Sequence, residues 1–413
     1  MKKFSLILLV FLCAFSLFAK GMQERKITVL YTGDGPPGVN LFQKAADATI
    51  AKFPGLSVEF QKVDLSTGAP VTMDTLLAGG MAPDIYYDSM VRASRYILPD
   101  FALPLNEYMD LKNYLYLEPL TRDGKVLALP GTGGAQGMCL NLDLLDAAGY
   151  TVPDNWDLED FQEMCAKIKA YADKTGKEAY GTGLFAGNQS GDYLWMQWFA
   201  VFGVDLYSEN YTESTENQGG SSVWKFFKDL KDKEYVPAKS AILTDDDYAL
   251  MWSKGMFAAT AFYPSWCSAY FDSAISQGLI KTPHRYKFVS FPNKAPACTN
   301  YSGIVVNKNS KVKEAVVYLL EQVTSAESGT LHVQIDSSIA FRKDISAQPN
   351  DKHAREVNAI VAENGLYDLG VTNAWFAEVR AQGFPVLQEV LTGKMDAQKA
   401  AKEYARRVNE IIK

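Results

Sequence analysis

Residues 128–141, "ALPGTGGAQGMCLN", place four glycines within seven positions ahead of an apolar run, the kind of stretch that could cradle a phosphate. A dinucleotide fingerprint G-x-G-x-x-G starting at Gly131 needs glycine at position 136, where Gln136 stands. A Walker-type loop needs a G-K-[ST] ending, which is absent. Spacing rejects both nucleotide readings. Metal chemistry fares no better: Cys139, Cys165, Cys267 and Cys298 form no C-x-x-C pair and have no histidine close by, so zinc is not expected. His284, His332 and His353 are scattered and read as neither ligands nor catalysts. The run Asp245-Asp246-Asp247 invites calcium or glycosidase readings, but consecutive acids at a helix start cap the helix and face water. No cofactor and no metal are expected.

The chain opens as an export signal. Lys2 and Lys3 form a basic start, Phe4 to Phe18 an apolar core, and Ala19-Lys20-Gly21 a small-x-small cleavage site. Residues 1–21 are therefore set apart from the fold. A lipoprotein would carry its cysteine at the end of the apolar core, whereas Cys13 sits mid-core behind Leu12, so a soluble exported protein is expected. No other segment has the roughly 18 uninterrupted apolar residues of a membrane helix. The remaining 392 residues exceed what one hydrophobic core usually serves, and two domains are expected. They carry 38 basic against 48 acidic side chains without a basic run, which argues against nucleic acid as partner. An oxidising compartment permits disulfides, but four cysteines in a chain this long are no disulfide framework and read as buried thiols.

The elements that must position any site alternate between strand and helix. "KITVLY" is β-rich, residues 39–53 repeat apolar positions at Val39, Phe42, Ala46, Ile50 and Phe53, and "LSVEFQKV" is again strand-like. A helical stretch ending at "LLAGGMAP" leads into "DIYYDS", which predicts three strands in a parallel sheet. Ligands of such sheets bind outside the carboxyl ends of the strands, here "TGDGPPG", Asp64, and Asp88 with Ser89. A helix is expected from Asp157 as N-cap to near Gly176, with Cys165 on its apolar face beside Leu158, Phe161 and Ile168. "SGIVVN" and the helix after it resemble the N-terminal strand-helix units. A further helix spans Asp396 to Ile412.

The order of these pieces resembles the extracellular solute-binding proteins of ABC importers, in particular the carbohydrate-binding family 1, maltodextrin-binding branch. "YTGDGPPG", "LLAGGMAPDIYYDS", "GKVLALP", "MCLNLDLLDAAGYTVPDNWDLEDF", "SKGMFAATAFYPSW", "SGIVVNKNSKVKEAVVYLLEQVTS" and "VLTGKMDAQKAAKEYARRVNEI" carry the likeness over nearly the whole mature chain. It implies an α/β, two-lobed periplasmic-binding-protein fold with a hinge and an interlobe ligand cleft. The N-terminal lobe would hold residues 22–130 and 303–345, and the C-terminal lobe 131–302 and 346–413. Hinge crossings are expected near 131–137, 298–303 and 342–350. "PGTGGAQG" would then be hinge and cleft floor, its glycines allowing torsions and close approaches that other residues resist. Maltodextrin-type relatives carry a ligand-contacting carboxylate in this crossover, where Gly134 stands here.

Sugars offer hydroxyls on their edges and weakly apolar C–H faces, so a receptor needs carboxylates or amides for the first and aromatic rings for the second. The resemblance implies a stacking role for Trp266 in "FYPSW", with Tyr263 beside it, and a second stacking and polar pair in Trp375 and Arg380. Trp195 and Trp198, three apart, would share a helix face, with Trp195 reaching the cleft and Trp198 packing inside, though both positions suit a core equally. Asp34 and Asp88 match strand ends where the family accepts bonds from sugar hydroxyls, with Ser89 beside Asp88 and Asp64 a third acid. A carboxylate bonds a neutral hydroxyl about twice as strongly as a neutral acceptor does. Tyr301 and Ser302 lie beside the second crossing. The implied partners are a sugar or oligosaccharide and a membrane permease, met in the periplasm by a monomer that is not an enzyme. An exported glycosidase, whose two carboxyl groups would stand about 5 to 9.5 Å apart, and a binding protein for a non-sugar solute are the alternatives. An adhesin is disfavoured by the lack of repeats and anchor.

Overall fold

The computed structural model describes residues 25–32, 39–63, 69–98, 100–188, 192–204, 206, 220–367 and 369–412. The expected export signal, Cys13, Asp34 and Asp64 lie outside the described residues. The chain forms two compact units. Unit 1 holds residues up to 131 with 302–332 and 340–346, and unit 2 holds 132–301, 333–339 and 347 onward. The backbone therefore passes from one unit to the other five times.

In unit 1, β1 (Arg25–Thr32), α1 (Val39–Lys52), β2 (Leu56–Val63), α2 (Ala69–Ala78) and β3 (Ile85–Ser89) follow in turn. β1 lies between β2 and β3 and is parallel to both, as helical crossovers require. Ile27, Val29, Ile85 and Tyr87 bury against Phe42, Ala45 and Ala46 of α1. The buried stripe of α1 runs through Leu41, Phe42, Ala45, Ala46 and Thr49, and a 3.6-residue period carries Ile50 past the sheet to 38 % exposure. A one-turn helix α3 (Met90–Ala93) and the β4–β5 hairpin (Thr121–Arg122, Lys125–Val126) lead to β6 (Leu129–Ala135), in which the chain leaves unit 1.

Unit 2 continues with β7 (Gly137–Asn141), α4 (Leu142–Ala148), α5 (Leu158–Thr175), β8 (Tyr180–Thr182), α6 (Asp192–Val201), α7 (Gly220–Asp232), α8 (Asp245–Ser253), β9 (Phe257–Phe262), α9 (Pro264–Ser276) and β10 (Tyr286–Val289). Its sheet has the order β10-β7-β9-β8. Asp157 caps α5 by accepting the Glu159 and Asp160 N–H groups, Asp160 returns the bond, and Gly176 ends the helix at φ 68°. β11 (Ala297–Val306) pairs through Ala297 and Cys298 in unit 2, then runs antiparallel to β3 through Ser302–Val306 in unit 1. It is antiparallel because it arrives from unit 2 rather than through a helical crossover from β3. After α10 (Lys313–Val323) and α11 (Ala326–Ile335) come α12 (Lys352–Asn364), β12 (Leu366–Tyr367), α13 (Phe376–Leu391) and α14 (Ala397–Ile412). β12 is the parallel partner of Ala297 and Cys298.

The glycines of β6 serve close packing. Neither Gly131 nor Gly133 has a positive φ. A Cβ on Gly131 would stand 2.7 Å from the Tyr87 ring, and one on Gly133 would meet the Tyr301 Cβ and lie 2.9 Å from the Asn300 carbonyl oxygen. Backbone cannot yield as a flexible side-chain tip can. Gly133→Ala is expected to destabilise the protein by about 1–3 kcal/mol through overpacking, read as a lower thermal midpoint; an unchanged midpoint would show that β6 and β11 can part freely.

His284 is enclosed in unit 2, 4.6 Å from the Trp252 ring centroid and 5.0 Å from Phe271, and neither ring nitrogen has a hydrogen-bond partner among the described residues. Burial lowers its pKa to about 4, opposed by the nearby Asp143 carboxylate. The unfolded chain titrates this residue near 6.5 and so binds more protons between those values. The stability from the neutral ring is full above pH 6.5 and is lost as pH falls towards 4. Thermal melts across that range should fall less steeply for His284→Phe than for the wild-type protein.

Candidate functional site

In unit 1 the carboxyl end of β3 presents Asp88 and Ser89. Asp88 is 1 % exposed. Its Oδ2 accepts from the Tyr86 hydroxyl at 2.6 Å and from Arg92 Nε at 2.8 Å, and its Oδ1 from Arg92 Nη2 and the Ser89 N–H, each at 2.6 Å. Burial, then the Asp88 charge, pushes the Tyr86 phenol far above its usual range, so it remains a donor. The carboxylate expected to face sugar hydroxyls is thus enclosed by protein donors. It anchors Arg92, whose side chain keeps 32 % of its surface. Arg92 went unread in the sequence, because Asp88 ends a strand and Arg92 lies in the next helix, where the helical i,i+4 rule does not pair them. Ser89 is half-buried and stands opposite Ser302 in the β3–β11 register, so the two hydroxyl residues share one strand end.

In unit 2 the aromatic candidates range from fully buried to half-buried. Trp195 is fully buried, with Phe199, Trp224 and Tyr404 ring centroids at 6.0, 5.9 and 6.0 Å and Gly383 directly against its ring. It is a core residue, which corrects the expectation that it reaches a cleft. The whole of α6 from Tyr193 to Val201 is buried, so apolar spacing could not tell its faces apart. Trp198 packs on Phe161 and Phe226 at 4.8 and 4.6 Å.

Tyr193, two residues before Trp195, belongs to another aromatic group, in which Tyr193 and Tyr263 are buried and Trp266 is half-buried. Its ring lies edge-on to Tyr263 at 6.4 Å and to Trp266 at 6.5 Å, and Tyr263 and Trp266 are 4.7 Å apart. The Arg380 guanidinium sits 5.1 Å from the Tyr193 centroid, a cation–π contact. Pro264 starts α9 and places Trp266 in its first turn, half-buried. A Cβ on Gly134 would lie 3.4 Å from the Tyr263 ring, so tyrosine covers the position where a carboxylate was expected in relatives. Trp375 is half-buried just before α13, and Tyr301 is 6 % exposed beside Gly133.

Trp266 also walls a pocket of about 300 Å³ with Phe185, Tyr248, Phe262, Tyr270 and Asp245. The acidic run divides its labour. Asp247 forms a capping box with Thr244, while Asp245 accepts a 2.6 Å bond from Asn188 and faces the pocket. Burial, then Asp245 and Asp246, pushes the Tyr270 phenol up to about 12, so the pocket offers one hydroxyl donor beside one carboxylate acceptor. Rings, a carboxylate and a phenol can grip a neutral polyhydroxylated molecule by stacking and hydrogen bonds. Among the described residues no cluster of three or more His, Cys, Asp or Glu could hold a metal ion, and no helix is long and apolar enough to cross a membrane.

Two α/β units threaded by a chain that returns to each define the fold of two-lobed solute-binding proteins. The chain belongs to the bacterial extracellular solute-binding protein family, whose profile matches residues 44–359. No curated protein matches it by sequence. Among solved structures, the cyclic alpha-maltosyl-1,6-maltose binding protein of Arthrobacter globiformis is 16 % identical, over 94 % of this chain and 98 % of that one, with TM-score 0.75. An ABC-transporter solute-binding protein of Thermotoga lettingae, bound with alpha-D-tagatose, is 19 % identical over 94 % and 100 %, with TM-score 0.70. The GacH receptor of Streptomyces glaucescens is 17 % identical over 94 % and 98 %, with TM-score 0.71. These are binding proteins, and at such identities the likeness carries the fold alone.

Asp88→Asn leaves the Arg92 guanidinium without its counter-charge. A loss of about 2–4 kcal/mol of stability is expected, seen as a lower thermal midpoint of the ligand-free protein. An unchanged midpoint with weakened ligand binding would instead return Asp88 to direct contact with ligand.

Proposed function

We propose that this chain is the substrate-binding component of an ABC transporter, which captures a sugar or oligosaccharide between its two lobes and delivers it to a membrane permease. The observation that carries the reading is the pocket lined by the half-buried Trp266, Tyr270 and Asp245, with the Tyr193–Tyr263 pair packed against Trp266 and Arg380 over Tyr193. Stacked rings suit C–H faces, and the charged and phenolic groups suit hydroxyl edges. The solved relatives support it, since their names record cyclic maltosyl-maltose, tagatose and acarbose as ligands. The ligand set comprises Ser89, Tyr263, Trp266, Tyr301, Ser302, Trp375 and Arg380, joined by Tyr193 and Asp245, with Asp34 and Asp64 as further acids. The protein works as a monomer in the periplasm after cleavage near Gly21, needs no cofactor and performs no catalysis.

Titration calorimetry with a panel of mono- and oligosaccharides, amino acids, peptides and polyamines tests the ligand class. Mass spectrometry of the recovered sugar tests catalysis: unchanged sugar supports a receptor, cleaved sugar a glycosidase. Trp266→Ala should weaken binding without unfolding the protein. With ~25 cal/mol per Å² and roughly 80 Å² of ring covered by one sugar face, the loss is about 2 kcal/mol, some thirtyfold in affinity. Wild-type affinity in this variant, or a collapsed ligand-free melting temperature, would take Trp266 out of the site.

A further inference from the structure

Four of the five cysteines lie in described residues, and all four are buried. Two of them meet. Cys139, in the middle of β7, and Cys267, in the second turn of α9, lie 128 residues apart in sequence, yet their Sγ atoms are 3.9 Å apart in the core of unit 2. Both are wholly buried. A disulfide needs its sulfurs at about 2.05 Å, about 1.9 Å closer than they stand here, an approach made by rotation about the Cα–Cβ bond of each residue. Cys165 sits elsewhere, against Gly181 between α5 and β8, and Cys298 lies in β11 with its N–H held by Gln197.

We propose that Cys139 and Cys267 form an intramolecular disulfide in the exported protein, and that this bond fixes the start of α9 to β7. Each thiol gives up one proton and one electron as the S–S bond forms. The disulfide of a thiol–disulfide oxidoreductase, or glutathione disulfide, takes up the two electrons and two protons and becomes two thiols. Burial and the neighbouring Cys267 hold the Cys139 thiol well above its usual range in the folded, reduced state. Exchange therefore proceeds while the chain folds, before the pair is enclosed. The bond lies one residue beyond Trp266, and the Cys267 N–H is bonded to the Tyr263 carbonyl. It thus ties two rings of the candidate site to the central sheet of unit 2. That last consequence rests on the sugar-receptor reading; the bond itself does not.

The mature protein, collected from an exporting host, is unfolded and alkylated with iodoacetamide without reductant, then analysed by intact mass and non-reducing peptide mapping. Two alkylated cysteines are expected, Cys165 and Cys298, with one peptide pair joined through Cys139 and Cys267 that separates on reduction. Four alkylated cysteines, or a link through Cys165 or Cys298, would overturn the proposal. If the host retains the chain, the reduced protein refolded in a glutathione redox buffer is held to the same two outcomes. Reduction should lower the thermal midpoint of the wild-type protein by on the order of 5–10 °C. The Cys165→Ala/Cys298→Ala variant should keep that response, and Cys139→Ala/Cys267→Ala should lose it. Since no sugar enters the mass measurement, a failed ligand screen and an absent disulfide remain separate results.

Discussion

The contact on which the rest of this molecule depends is the approach of β6 to β11. Both strands are divided between the units: residues 129–131 of β6 and 302–306 of β11 belong to unit 1, and their other halves to unit 2. Gly131 leaves room for the Tyr87 ring in unit 1, and Gly133 leaves room for Tyr301 in unit 2. A side chain at either position would push the strands apart. That displacement would reach β3 through its register with β11 on one side, and the β12 pairing of Ala297 and Cys298 on the other. One glycine-rich strand thus sets the spacing of the sheet pairings in both units.

Polar groups near the site are handled in two ways. Where a charge is buried it is paired: Asp88 gives its oxygens to Tyr86, Arg92 and the Ser89 N–H, so its desolvation is offset by charge-assisted bonds. Other polar groups keep some contact with solvent. Arg380 rests on the Tyr193 face, and Asp245 is steadied by one bond from Asn188 at the mouth of an aromatic pocket. Rings set at steep angles to one another, as Tyr193 is to Tyr263 and Trp266, form walls and corners rather than a flat stack.

Much of the fold could be read from local patterns. The β1–α1–β2–α2–β3 run and its parallel pairing follow from alternating periodicities and short crossovers, and α5 announces both ends through Asp157 and Gly176. The site was less legible. α6 is buried throughout from Tyr193 to Val201, so its spacing could not show that Tyr193 meets Trp266 while Trp195 points into the core. Three consecutive acids at Asp245–Asp247 all looked like caps, and only packing against Asn188 and Trp266 separates Asp245 from Asp247. The direction of β11 was hidden for another reason. It depends on where the preceding chain has been, which no local window contains.

The repeated crossing of the chain has a consequence for its birth. Unit 1 cannot complete its sheet until residues 302–306 have been made, and unit 2 lacks its last helices until nearly the whole chain is available. The N-terminal three strands alone would leave β3 as an open edge, without the antiparallel partner that covers it. Long-range pairing of this kind delays folding, because chain closure must precede the contacts that reward it. A nascent chain of this design therefore stays loose for most of its synthesis. That looseness is an asset in a polypeptide that has to thread through a narrow pore before it takes shape, and a liability in a crowded compartment unless a chaperone covers it on the way.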